Sequence, residues 1–192
     1  MTAEIKENHF QKVESSVERI TSIVLDLLLC AEVEASSLLF LPTEVDVVQL
    51  CQETIGTIVN YNKHRIEFKV SGDGAKTAML DAELINHILT NLLENGLKYS
   101  QPDKKVEFEL SLLPNQVKFC IQDQGIGIPT ENLSHIFDSF YRASNVETKP
   151  GTGLGLSIVK RCVDTHGGGI SVNSTVGEET IVTVTFLRSN KV

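Results

Sequence analysis

The stretch from Asp123 to Pro129, D-Q-G-I-G-I-P, constrains this chain more than any other. It follows a predicted strand, Gln116 to Gln122, and opens a long segment without regular periodicity. A carboxylate at a strand end, then Gly-X-Gly and Pro, suits a place where backbone must come close to a ligand, because glycine carries no Cβ. A tight turn after an edge strand is the competing reading, since short glycine motifs recur by chance. The company of the stretch separates the two. N-L-L-E-N-G-L-K-Y-S precedes it, and F-D-S-F-Y-R and G-T-G-L-G-L-S follow it. Four motifs in one order are far more specific than any one of them.

The 192 residues suffice for one domain of about 150 residues plus an appendage. Hydrophobic residues make up 41% and charged residues 22%, a balance that supports a sizeable core. The formal net charge of -8, with no dense Lys/Arg run, argues against a nucleic-acid or anionic-membrane partner. A nucleotide needs only a few local cations and a metal ion. Cys30, Cys51, Cys120 and Cys162 are widely spaced in apolar patterns without a C-x-x-C pair, so they read as reduced core residues of a cytoplasmic chain. The most apolar stretch, Ile20 to Val33, is broken by Asp26 and too short to span a bilayer. The parent protein could still be membrane-anchored.

From Phe10, apolar residues recur at Val13, Val17, Ile20, Val24 and Leu27, a heptad seam on a helix. Such a seam needs a partner: a second copy of the chain, a missing helix, or the main domain. Pro42 closes this region. Val45–Val48 reads as a short strand, followed by a helix to about Asn60, strands at Ile66–Val70 and Thr77–Leu80, and an S-G-D-G turn between those strands. Asp81 caps a helix running through about Tyr99, with Leu84, Ile85, Ile88, Leu89, Leu92 and Leu93 on its apolar face. On another face lie His87, Asn91, Asn95 and Lys98, spaced four, four and three. Amide oxygens suit a hard cation and the lysine a phosphate; a solvated polar face is the alternative. Gly96 costs about 1 kcal/mol against Ala inside a helix, which hints at close packing or a close ligand.

Lys105–Leu113 and Gln116–Gln122 form a predicted hairpin around Pro114 and Asn115. The irregular span Thr130 to Pro150, with a short helix around Glu131–Phe137, has the length of a functional lid. Gly151, Gly153 and Gly155 feed a helix from about Leu154 to His166, whose N-terminus offers N–H groups to an anion. The P-loop lysine and spacing are absent. Gly169–Ser174 and Thr180–Leu187 read as a closing hairpin. Helices alternating with antiparallel strands predict an α+β two-layer sandwich.

These motifs resemble those of the catalytic, ATP-binding part of bacterial two-component sensor histidine kinases. Their Bergerat fold is shared with gyrase, the Hsp90 chaperone and MutL. The resemblance implies a catalytic domain over residues 41–192. Over residues 1–40 it implies a segment similar to the second helix of a dimerisation and phosphotransfer hairpin, carried by V-E-R-I-T-S-I-V-L-D-L-L-L from Val17. It implies ATP and Mg²⁺ as cofactors, with Asn95 holding the metal and Asn91 and Lys98 facing the phosphates. Tyr99 would lie beside the nucleotide. Asp123 would accept a hydrogen bond from the adenine amino group, while Gly125, Gly127 and Ile128 pass the base. Phe137, Phe140, Tyr141 and Arg142 match the phenylalanine box, with Arg142 meeting the terminal phosphate. Gly151, Thr152, Gly153, Leu154 and Gly155 match the second glycine box. Gln124 and Gly96 stand where Asn and Ala are common, and Glu179 replaces a frequent glycine and reads as surface variation.

The phosphoacceptor motif is missing. His9 is followed by Phe10 and Gln11 and lies in the stretch resembling the second hairpin helix, while no Pro occurs before Pro42. His64, His135 and His166 read as structural or exposed. The expected function is therefore transfer of the terminal phosphoryl group of ATP to a histidine outside this chain, relayed to a response-regulator aspartate. The expected partners are the missing hairpin helix, a receiver domain and a second copy through the N-terminal helix. A degenerate nucleotide-binding regulatory module and a serine kinase of the anti-sigma-factor type are the competing readings; a gyrase-like ATPase would need a transducer domain.

Overall fold

The computed structural model describes residues 40–59, 65–146 and 151–188, together with Val24. The heptad seam apart from Val24, His9, Cys30 and His64 lie outside the described residues, as do the ends of the chain and 147–150. The chain divides into two compact units, Met1–Leu39 and Phe40–Val192. The sheet and its helices belong to the second unit.

Its elements in order are β1 (Thr43–Asp46), α1 (Val47–Val59), β2 (Ile66–Ser71), β3 (Thr77–Leu80), α2 (Ala82–Tyr99), β4 (Val106–Leu112), β5 (Gln116–Asp123), α3 (Gly155–Thr165), β6 (Gly169–Thr175) and β7 (Glu179–Leu187). Five strands form one sheet in the order β2-β4-β5-β7-β6, and β1 pairs with β3 apart from it. The architecture is an α+β two-layer sandwich. One expectation fails: β2 and β4 run parallel, with Ile66 opposite Val106. β3 and α2 lie between them in sequence, the long crossover that a parallel pair requires. Residue alternation carries no information about strand direction, so the sequence pattern could not distinguish the two.

The alternation itself explains the layers. Along β5, Val117, Phe119, Ile121 and Asp123 are buried while the intervening residues are half-buried. In β4, Val106, Phe108, Leu110 and Leu112 are buried and Glu107 and Glu109 face outward. Phe108, Phe119 and Phe186 pack ring against ring across neighbouring strands. Ile85, Ile88, Leu89, Leu92 and Leu93 of α2 and Ile158, Val159, Cys162 and Val163 of α3 supply the opposing layer. Each apolar side chain withdrawn from water in this way contributes about 1.5–3 kcal/mol before entropy is counted.

Two boundaries differ from expectation. The strand predicted at Val45–Val48 ends at Asp46, whose Oδ1 accepts the N–H groups of Val48 and Gln49 at 2.9 and 3.0 Å and so starts α1 two residues earlier. The helix expected at Glu131–Phe137 is a 3₁₀ turn at Thr130–Asn132 continued by further turns. Bonds three residues apart, Asn132 N to Pro129 O and His135 N to Asn132 O, replace the α pattern.

Long side chains tie the connections down. Arg65 donates to the carbonyls of Leu97, Gln101 and Lys104, closing the C-terminal end of α2. Arg188 does the same for Ala75, Thr77 and Leu113. His166 accepts the Asp81 N–H on Nε2 at 3.1 Å, so Nδ1 donates to Cys162 O at 2.8 Å. Its ring lies between Phe40 and Phe186, and burial holds its pKa below the usual value.

Candidate nucleotide site

The site is built around α2. Asp81 caps this helix by accepting the N–H groups of Glu83 and Leu84, and its other oxygen accepts the Leu41 N–H at 2.9 Å. With the apolar face of α2 fixed on the sheet, its polar row is directed elsewhere. His87, Asn91, Asn95 and Lys98 are all half-buried. The Asn91 amide nitrogen donates to His87 O at 3.0 Å, which leaves its oxygen on the opposite branch. A Cβ built on Gly155 would lie 2.6 Å from that oxygen and 3.9 Å from Asn95 Nδ2. The start of α3 therefore lies against both asparagines, although it follows Asn95 by 60 positions and Asn91 by 64 in sequence. A Cβ on Gly151 would lie 2.8 Å from Lys98 Nζ, which also sits 4.8 Å above the Tyr99 ring.

A Cβ built on Gly96, between Asn95 and Lys98 in sequence, would lie 3.0 Å from the Val106 side chain and 3.7 Å from the Asp123 Cβ. Close packing is what its helix penalty hinted at. Asp123 is 8% exposed, and its Oδ1 has no hydrogen-bond partner within the protein. Burial pushes its carboxyl up to about 7; the charge of Glu179 adds to this and the Gly125 N–H opposes it. Glu179 is thus more than surface variation: half-buried, it accepts a 2.7 Å hydrogen bond from Gln122 and acts on the key carboxylate.

The first glycine stretch is docked tightly. Gly125 is buried against Tyr99 O and Asp123 Oδ1, which a Cβ would meet at 2.5 and 2.6 Å. Gly127 has φ +64 and a Cβ there would lie 2.2 Å from Thr175 O, so two independent constraints demand glycine. The Ile128 N–H donates to Ser174 Oγ at 2.9 Å, and Asn145 donates to Gly127 O at 2.8 Å. In the second stretch, Gly153 has φ +75 and its carbonyl accepts the Phe140 N–H. Thr152 Oγ1 accepts the Leu154 N–H at 3.3 Å, and Leu154 is buried. No side chain caps α3, so its N–H groups remain suited to an anion.

The segment between the two glycine stretches holds the phenylalanine box. Phe137 is half-buried; Phe140 is 66% exposed with φ 65, an unusual conformation for a non-glycine residue. Tyr141 Oη accepts from Asn132, and Arg142 donates to Val146 O at 2.6 Å. His135 pairs with Asp138 and is exposed. Sequence reasoning did not single out Ser100, Ser174 or Thr180. Ser100 and Thr180 are buried polar residues, and Ser174 Oγ lies 2.9 Å from Thr180 Oγ1. Burial of a hydroxyl leaves no periodic trace in a sequence.

The arrangement fits a nucleotide with its cation. A buried unpartnered carboxylate oxygen can take an amino donor, and backbone without side chains surrounds it. Among the described residues no group of three or more His, Cys, Asp or Glu side chains can hold a metal ion. A cation here would draw on amide and phosphate oxygens, as Mg²⁺ commonly does.

The layered sheet, the glycine-lined backbone and the polar face of α2 define a Bergerat-type ATPase domain. A family-wide profile described as histidine kinase-, DNA gyrase B-, and HSP90-like ATPase matches residues 80–190. The chain belongs to this family, as a catalytic ATP-binding domain of a bacterial sensor histidine kinase. The sensor histidine kinase YkoH of Bacillus subtilis is 31% identical over 97% of this chain and 41% of its own length. The sensor protein kinase WalK of Staphylococcus aureus is 40% identical over 55% of this chain and 26% of its own length. The chain thus spans less than half the length of these curated relatives. Among solved structures, the mycobacterial sensor histidine kinase MprB shares 27% identity with a TM-score of 0.67, over 76% of this chain and 98% of that one. Full-length ShkA in complex with AMPPNP has the same fold, at 23% identity and a TM-score of 0.78, over 99% of this chain and 40% of that one. Among the described residues, no helix is long and apolar enough to cross a membrane.

Proposed function

We propose that this chain binds ATP with Mg²⁺ and transfers the terminal phosphoryl group to a histidine outside residues 1–192, from which it passes to a response-regulator aspartate. The observation that carries the reading is the meeting of Asn91 and Asn95 with Gly155, and of Lys98 with Gly151. It brings two amide side chains, with the Asn91 oxygen nearest, and a cation to the uncapped start of α3, groups that suit a triphosphate with its metal. Asp123 would take the adenine amino group, a donor that guanine lacks at that position. Gly125, Gly127 and Ile128 would line the base, with Tyr99 beside the nucleotide.

Asn95 would hold the metal, Asn91 and Lys98 would face the phosphates, and Gly151, Thr152, Gly153, Leu154 and Gly155 would wrap them. Mg²⁺, when bound, supplies neutralisation of the phosphate charge. The chain's own contribution is positioning and electrostatic stabilisation, which dominate phosphoryl transfer. Arg142, which donates to Val146 O through one of its guanidinium nitrogens, would meet the terminal phosphate. The partners would be a hairpin helix carrying the acceptor and a receiver domain, with a second copy joined through residues 1–40.

Calorimetric titration with a non-hydrolysable ATP analogue, with and without Mg²⁺, tests the reading on this chain and on Asp123→Ala. Mg²⁺-assisted binding that disappears in the variant is the expected result. Absence of binding by the unaltered chain would remove the kinase reading. Binding without phosphorylation of a supplied acceptor hairpin would leave a regulatory module.

A further inference from the structure

Among the described residues, two buried side-chain atoms make no hydrogen bond within the protein: Asp123 Oδ1 and Ser100 Oγ. They are neighbours in the fold. Ser100 forms an isolated antiparallel bridge with Gly125, two residues beyond Asp123, and Gln101 N donates to Gln124 O at 3.3 Å beside it. Residues opposite one another in an antiparallel pair project to the same face, and so do residues two apart along a strand. Ser100 and Asp123 therefore flank the space that a side chain on Gly125 would occupy. A Cβ built there lies 2.6 Å from Asp123 Oδ1. Ser100 and Asp123 are 7% and 8% exposed, so neither oxygen is satisfied simply by facing bulk water.

The fold gives no reason for a hydroxyl at position 100. The residue terminates α2 through its backbone N–H, which donates to Gly96 O at 3.0 Å, and alanine would do this equally well. A buried hydroxyl without a partner destabilises the fold, so its partner is to be sought in a ligand or a bound water.

The geometry points to Ser100 as a second reader of the nucleobase, donating its hydroxyl proton, directly or through one water, to adenine N1. This rests on the nucleotide reading above. Adenine presents its amino donor and its N1 acceptor side by side. A carboxylate takes the first and a hydroxyl supplies the second, each from one side of Gly125. Guanine places an acceptor oxygen where adenine has its amino group, a mismatch with the carboxylate, whereas the hydroxyl could turn to accept the guanine N1–H; discrimination against guanine therefore rests on Asp123.

The test is titration of the full chain with ATP and with 1-deaza-ATP, in which a C–H replaces N1, for the unaltered protein, Ser100→Ala and Ser100→Thr. The unaltered protein should bind the deaza analogue about 5–20-fold more weakly than ATP. Ser100→Ala should bind ATP weakly by a similar factor and no longer distinguish the two, while Ser100→Thr, retaining the hydroxyl, should restore the difference. A Ser100→Ala protein that still discriminates, or that binds ATP as tightly as the unaltered one, overturns the role. So does equal binding of the two nucleotides by the unaltered protein, a result independent of how the variants fold. Failure of the unaltered chain to bind ATP at all would instead overturn the nucleotide reading, and this inference with it.

Discussion

Asp123 illustrates how one residue sets function against stability. Its carboxyl titrates near 7 in the folded chain against an ordinary 3.8, because burial and Glu179 disfavour the charge. Where the folded pKa is raised, the associated stability is fully present below the unfolded pKa and is lost as pH rises through the folded one. Stability from this group therefore declines between about pH 4 and pH 7. Asp123→Asn cannot ionise, so its stability relative to the unaltered chain should rise across that window, by on the order of 1–3 kcal/mol at pH 8. Denaturant melts of both proteins at pH 5 and pH 8 measure this difference; a pH-independent gap would show that the carboxylate is ionised without penalty. The same variant should bind ATP at least tenfold more weakly, because one neutral amide oxygen replaces a carboxylate that accepts through two oxygens.

At the scale of elements, α2 carries the site, and Asp81 holds its beginning. One carboxylate caps Glu83 and Leu84 and also takes the Leu41 N–H, tying the preceding segment to the helix start. Asp81→Ala should lose about 1–2 kcal/mol, read as a lowered unfolding midpoint with unchanged slope. Because the Asp81 backbone N–H still reaches His166, the helix should persist and nucleotide affinity should change little. A loss of binding out of proportion to the loss of stability would mean that this cap also sets the register of the asparagine row. The α2 boundaries were legible because cap, apolar period and polar row coincide in sequence. The turns after Pro129 were not, because a few residues with mixed burial look alike in α and 3₁₀ geometry.

On the scale of the whole molecule, the unit Phe40–Val192 carries its own sheet, helices and site. Residues 40–192 alone should fold cooperatively and bind nucleotide within about twofold of the full chain, because every described residue of the proposed site lies within that unit. Calorimetry on the truncated protein checks this, and a large loss of affinity would place residues 1–39 in the site. The motifs, their order, the cap at Asp81, the strand alternation and the glycine turns were all determined by sequence alone, because each is a local requirement of backbone or periodicity. Tertiary structure alone decided the parallel pairing of β2 with β4, the meeting of Asn91 and Asn95 with Gly155, the pressure of Glu179 on Asp123, and the burial of Ser100 beside Gly125. Each of these depends on residues distant in the chain arriving at one point. Local propensity cannot encode such proximity; it follows from how the sheet order and the helix layer close around one core.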